Sequence, residues 1–193
     1  MEVSDIKTVY PLKDKKQIEA MKNFLKGKNT RDYLMFMVGI SSALRISDIL
    51  SLKVNDIWDG KKPVKFIYLN EKKTGKYKRF PVTKNLEKAI ILFMKQYNYK
   101  KNEFVFLSRK NTNKPITRQQ AARIIKTCAD YVGVEENVGT HTMRKTWGYW
   151  AYKSGVSLAL IMEALNHSSI SNTKKYLGIT QEDLDDVYMN LNL

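Results

Sequence analysis

Six polar side chains, scattered along the chain, are the ones whose types and spacing could do chemistry. Arg45 stands in A-L-R-I-S-D, Lys73 in K-K-T-G-K, His141 and Arg144 three apart in H-T-M-R, and His167 in L-N-H-S-S, with Tyr176 nine residues beyond it. Two arginines, two histidines, a lysine and a tyrosine suit attack on a phosphodiester by a tyrosine hydroxyl without a metal. The phosphorane-like transition state gathers negative charge on its non-bridging oxygens. A guanidinium grips such oxygens with paired hydrogen bonds and keeps its charge at any working pH; Arg45 and Arg144 fit that task. Tyr176 is the candidate nucleophile, since nearby cations favour the phenolate of a group whose ordinary pKa is about 10. The departing oxygen needs a proton. A lysine crowded by arginines releases one more readily, which makes Lys73 the candidate acid. His141 and His167 can donate to the phosphate or handle the tyrosine proton.

Taken singly, each residue has a plainer reading. Arg45 follows an apolar run and could neutralise a helix end. The three-residue spacing of His141 and Arg144 puts them on one helix face, as many pairs are. Tyr176 is one of 11 tyrosines, and Lys73 is one lysine in a cluster. The ordered set carries more than its members.

Three segments also resemble a known family. A-L-R-I-S-D-I-L-S-L, H-T-M-R-K-T and L-N-H-S-S-I-S-N-T-K-K-Y are similar to the signature boxes of the tyrosine recombinases, the phage-integrase family, over about residues 10–190. The resemblance puts the family's arginines on Arg45 and Arg144, its two histidine positions on His141 and His167, its hairpin lysine on Lys73 and its nucleophile on Tyr176. The acidic partner in the first box falls on Asp48, expected to orient Arg45. The implied activity is site-specific cutting and rejoining of DNA through a 3′-phosphotyrosyl link, without ATP, metal or other cofactor. Two alternatives stay open: a DNA-binding regulator that no longer recombines, and a relaxing activity like that of type IB topoisomerases. Two positions depart from the family's habit, with Ala43 and Asn166 where glycine is frequent. The family's N-terminal clamp domain is not expected in this chain, so an accessory protein is expected to supply that grip.

The elements must bring these residues together. At 193 residues, 43% hydrophobic and 27% charged, the chain has the length and balance of one soluble domain. The expected division is a tail at 1–9, a catalytic domain at 10–180 and a helical tail at 181–193. No apolar run approaches the roughly 18 residues of a membrane span, and M-E-V-S-D-I-K is no signal peptide. The single Cys128, in an apolar-periodic stretch, reads as a buried thiol in a reducing cytoplasm of a bacterial or phage-encoded protein. With two histidines and that cysteine far apart, no zinc site is expected.

Apolar periodicity predicts helices at 14–27, 31–43, 46–52, 84–98, 117–132, from Thr140 or Thr142 to about 154, and at 157–165, 171–177 and 181–190. Val54–Trp58, Val64–Leu69 and Lys78–Val82 read as strands, and 104–107 as a strand-like piece. The expected class is mostly α with a small three-stranded antiparallel sheet.

Charge is unevenly spread over that frame. The net is +15, and residues 61–126 hold 19 lysines and arginines against Glu71, Glu87 and Glu103 alone. Such a field suits a polyanion, here double-stranded DNA. Lys72, Lys76, Lys78 and Arg79 around the hairpin, Lys145 beside Arg144, and Arg118, Gln119 and Arg123 early in the 117–132 helix are the candidate DNA contacts. The last three could read bases or hold phosphates. The tail spaces Leu184, Val187, Tyr188 and Leu191 as a helix face. It could pack on its own domain or, as the family resemblance implies, on a neighbouring protomer in a tetramer on DNA.

Overall fold

Local capping and apolar spacing account for the frame seen in a computed structural model, which describes residues 8–98, 100–109 and 113–191. Helix α1 (Lys15–Lys28) begins where the Asp14 carboxylate accepts the Lys16 N–H at 2.7 Å, and it buries Ile18, Met21 and Leu25 on one side. Helix α2 (Thr30–Ser42) is capped by Asn29, whose side chain accepts from the Arg31 and Asp32 N–H groups. Its unbroken run from Leu34 to Gly39 is buried all round, so α2 forms the centre of the molecule.

The remaining elements wrap that helix. They are α3 (Ile46–Ile49), α4 (Val54–Ile57), β1 (Phe66–Asn70), β2 (Tyr77–Pro81), α5 (Lys84–Gln96), α6 (Arg118–Tyr131), α7 (Thr140–Lys153), α8 (Leu158–Ala164), α9 (Ile170–Leu177) and α10 (Gln181–Leu191). The main core gathers α1, α2, α5 and α6 around Phe36, Phe93 and Phe106. A smaller cluster of Ala43, Ile161, Leu165 and Leu177 joins α8 and α9 to α7, with Trp147 and Tyr176 at its margin. Cys128 is buried in the main core, where its thiol is pushed up to about 12 by desolvation.

Close backbone approaches fix the two crossings of α7. A Cβ on Gly39 would stand 2.8 Å from the Cβ of Met143, so only glycine lets α2 and α7 meet there. A Cβ on Gly148 would stand 2.5 Å from Leu177 Cδ2, so α9 lies hard against α7. Those two contacts bring the end of α2, the Arg144 turn of α7 and the Tyr176 turn of α9 to one place.

The sheet is smaller than the sequence predicts. It has two strands, paired antiparallel with Phe66 opposite Pro81 and Asn70 opposite Tyr77. Val54–Trp58 is not a strand: 54–57 forms the short helix α4, with Trp58 in an isolated bridge to Pro63. Its buried residues, Val54 and Ile57, are three apart, which is helical and not alternating spacing. Asp56 seals the turn by accepting the Lys53 N–H at 2.7 Å. Residues 104–107 likewise make isolated bridges, Phe104 to Lys53 and Leu107 to Pro115.

Helix α10 is tied to its own chain, with Lys153 of α7 at 2.8 Å from Asp183 and 3.5 Å from Asp186. Of the expected apolar face, Tyr188 is exposed, and the side chains of Leu184, Val187 and Leu191 lie outside the described residues, as do residues 1–7 of the expected tail. Among the described residues no helix is long and apolar enough to cross a membrane.

Candidate active site

Arg144 is the buried floor of the site, with 2% of its surface exposed. From the second turn of α7 it donates Nη1 to the Ala43 carbonyl and Nη2 to the Leu165 carbonyl. Both acceptors belong to turns that contain a left-handed residue, Ala43 at φ 54° and Asn166 at φ 51°. That conformation favours glycine, which accounts for glycine being frequent at both positions in the family the sequence resembles; here Ala43 and Asn166 adopt it without glycine. The guanidinium thus holds the end of α2 and the end of α8 against α7.

Arg45 follows directly. It sits at the start of α3 and donates Nη1 to Oε2 of Glu71 at 2.8 Å, with 17% of its side chain exposed. Its carboxylate partner is therefore Glu71. Asp48, the expected one, is fully buried and accepts the Lys72 N–H on Oδ1 at 2.9 Å, so it anchors the base of the hairpin loop. Lys73 lies exposed in that loop, near enough for its charge to help depress the His141 pKa.

Tyr176 comes from the last turn of α9. Its hydroxyl is 3.5 Å from Nδ1 of His141, and its ring meets that of His167 edge-on, centroids 4.7 Å apart. Desolvation pushes the phenol above its usual pKa; the charge and hydrogen bond of Arg144, and the charge of Arg45, pull the other way. His141 is held below its usual value by desolvation and then by Arg144, Lys145, Arg45 and Lys73. His167 is lowered further, to about 4, by desolvation, Arg144 and Arg45. Both rings are accordingly neutral near pH 7. Thr173 gives its hydroxyl proton to the Ser169 carbonyl at 3.1 Å, so His167 Nδ1, at 3.2 Å from that hydroxyl, carries the hydrogen between them. Nε2 of His167 is left as an acceptor.

The expected DNA contacts divide. Lys72, Lys76, Arg79, Arg118, Gln119 and Arg123 are exposed. Lys76 also reaches the Asn166 side chain at 3.1 Å, and Arg79 lies over the Phe66 ring at 4.8 Å. Lys78 turns inward instead, donating to the Ala164 carbonyl at 2.8 Å, and burial, then Arg144, lowers its pKa to about 8. Lys145 is 8% exposed and sits 4.9 Å over the Tyr176 ring. Those two lysines are parts of the site's interior.

Sequence reasoning missed Glu71 as a member of the site. It is 1% exposed, and its Oε2 accepts from Arg45, Thr74 and Asn166, each at 2.8 Å. Its isolation was the available signal: it is the one acid among Lys72, Lys73, Lys76, Lys78 and Arg79. Asn166 was noticed only as a missing glycine.

Two guanidiniums, a loop lysine, two neutral imidazoles and a phenol thus come within hydrogen-bonding or electrostatic reach of one another around α7. Comparison with known proteins shows the family. Residues 13–182 match the model of the phage integrase family, and the chain belongs to that family. The chain is 40% identical over 180 residues to the probable integrase/recombinase YoeC of Bacillus subtilis (strain 168), covering 93% of this chain and 95% of that protein. Among solved structures it resembles XerA recombinase, with TM-score 0.78 and 18% identity, over 96% of this chain and 66% of that one. It also resembles XerH site-specific recombinase bound to its palindromic difH substrate in a post-cleavage complex, with TM-score 0.72 and 17% identity, over 100% of this chain and 56% of that one. The chain thus spans about two thirds or less of these two structural relatives.

Proposed function

We propose that this chain is a site-specific recombinase that cuts and rejoins double-stranded DNA through Tyr176. The observation that carries this reading is the position of the Tyr176 hydroxyl, within hydrogen-bond reach of both Arg144 and His141. In the proposed cycle Arg45 and Arg144 hold the non-bridging oxygens of the scissile phosphate, and the phenol oxygen attacks phosphorus. The neutral His141 is placed to accept the phenol proton. As the bond to the 5′ oxygen breaks, Lys73 gives that oxygen a proton. A 3′-phosphotyrosyl link and a free 5′-OH result, and a 5′-OH from a partner duplex reverses the step with exchanged strands. The energy of the broken ester is kept in the new one, so the cycle needs neither ATP nor a metal.

DNA as the partner is supported by the excess of cations in residues 61–126 and by the XerH relative, which is bound to its difH DNA. Strand exchange calls for four protomers on two duplexes. In that assembly the Lys153 contacts of α10 would pass to a neighbouring copy.

The test is covalent trapping on a nicked suicide substrate drawn from the DNA around the encoding gene. The unaltered protein should form a denaturant-resistant complex, and Tyr176→Phe should form none while still binding DNA. Trapping that persists in Tyr176→Phe would remove Tyr176 from the nucleophile's role.

A further inference from the structure

The buried carboxylate of Glu71 joins parts of the site that lie far apart in sequence. Its Oε2 collects hydrogen bonds from Arg45 Nη1, Thr74 Oγ1 and Asn166 Nδ2, each at 2.8 Å. Its Oε1 has no hydrogen-bond partner and stands 3.9 Å from Lys78 Nζ and 4.0 Å from Arg144 Nη1. Its backbone closes the loop that carries Lys73: Glu71 N–H donates to the Lys76 carbonyl at 2.9 Å, and Gly75 N–H donates to the Glu71 carbonyl at 2.8 Å. The side-chain bond from Thr74 braces the same loop from within. Burying a carboxylate is costly unless its charge and lone pairs are met, so this arrangement needs a compensating role. Desolvation pushes its pKa up, yet the hydrogen bonds from Thr74 and Asn166 and the charge of Arg45 outweigh that, and the group stays anionic.

We propose that Glu71 is a positioning residue for strand cleavage, bracing the Lys73 loop so that the lysine ammonium meets the departing 5′ oxygen; this rests on the recombinase reading above. The two groups that Glu71 orients respond differently once DNA is bound. A phosphate in the site supplies Arg45 with a new anionic partner. Nothing in the substrate replaces the bond from Thr74, so the loop depends on Glu71 throughout the reaction. In the braced step the Tyr176 oxygen forms its bond to phosphorus and the bond to the 5′ oxygen breaks. The bonding pair leaves on that oxygen, which takes the proton from Lys73. If sulfur replaces the 5′ bridging oxygen, the phosphorus–sulfur bond breaks and the pair leaves as a thiolate that needs no proton.

That difference gives the experiment. Cleavage rates and DNA affinity are measured for the full chain and for Glu71→Ala, Glu71→Gln and Thr74→Val, on the oxygen substrate and on its 5′ bridging phosphorothiolate. On oxygen, Glu71→Ala should be slower by about 10²-fold, within the usual range for a lost general acid. Glu71→Gln, which keeps an acceptor of the same shape, should lie between. Thr74→Val, a change at an exposed position, should show a smaller loss and keeps the test open if both Glu71 variants fail to fold. On sulfur all three should return to near the unaltered rate, with DNA affinity undiminished throughout. Full oxygen-substrate activity in folded Glu71 variants, or in Thr74→Val where those do not fold, would overturn the proposal, as would a defect that persists in full on sulfur. If the unaltered protein cleaves neither substrate, the recombinase reading itself has failed.

Discussion

The surroundings of His167 in the site reach as far as stability. Desolvation and two arginines hold its folded pKa near 4, against about 6.5 when the chain is unfolded. The unfolded chain therefore takes up a proton that the folded protein refuses, and stability must fall as pH drops from about 6.5 toward 4. His167→Gln lacks that proton, so its melting temperature should gain on that of the unaltered protein across this window and track it above pH 7. His141, also depressed, contributes in the same sense, so part of the acid slope should remain in the variant. Parallel melting curves from pH 7 to 4 would show that His167 is not held neutral. The six candidate side chains were legible in the sequence because their types suit one chemistry and their segments resemble a family's signature boxes, and the structure brings them within hydrogen-bonding or electrostatic reach of one another. Glu71 was not, since nothing in N-E-K-K-T-G-K states that one carboxylate will be buried under two arginines. Lys78 and Lys145 were read as surface cations for the same reason, because charge is written in sequence and burial is not.

At the scale of elements, the site is a meeting of ends: the end of α2, the end of α8, the loop after β1 and the last turn of α9, gathered on α7. Gly148 sets the last of these, because a Cβ there would come within 2.5 Å of Leu177 Cδ2 and 3.5 Å of Leu165 Cδ1. Leu177 is fully buried and follows Tyr176 directly, so it cannot yield without moving Tyr176. Overpacking of this sort costs about 1–3 kcal/mol. Gly148→Ala should therefore lower the melting temperature and slow cleavage by more than it weakens DNA binding. Equal losses in cleavage and binding would mean that α9 had not been displaced relative to the DNA-binding surface. Helix existence was readable from periodicity nearly throughout, because caps and apolar stripes are local signals. The third strand failed where V-N-D-I-W carries strand-forming residues but buries Val54 and Ile57 at helical spacing. There the helical spacing of buried residues overrode β-propensity.

Across the whole molecule, the candidate DNA contacts that stay exposed among the cations of residues 61–126 fall on two places: the hairpin with Lys72, Lys76 and Arg79, and the first turns of α6 with Arg118 and Arg123, a helix that Thr117 caps by accepting the Gln120 N–H at 3.1 Å. The hairpin lysines lie next to the reacting groups, so changing them mixes binding with chemistry. Arg118 and Arg123 are exposed on α6, away from Tyr176 in sequence, and offer the cleaner measure of how DNA is held. A cation that neutralises one phosphate contributes about 0.9 to the slope of log affinity against log salt. Replacing both arginines by glutamine should flatten that slope by about 2, with a uniform loss of affinity over different DNA sequences, if both hold phosphates. If one of them reads a base edge, the slope should change by about 1 and discrimination at one position of the site should weaken by roughly 1–3 kcal/mol. Trapping by Tyr176 at low salt should survive the double substitution, because the arginines that act on the Tyr176 hydroxyl are Arg144 and Arg45. An unchanged slope would make the start of α6 an idle solvated face and leave the electrostatic grip to the other exposed cations, those of the hairpin among them.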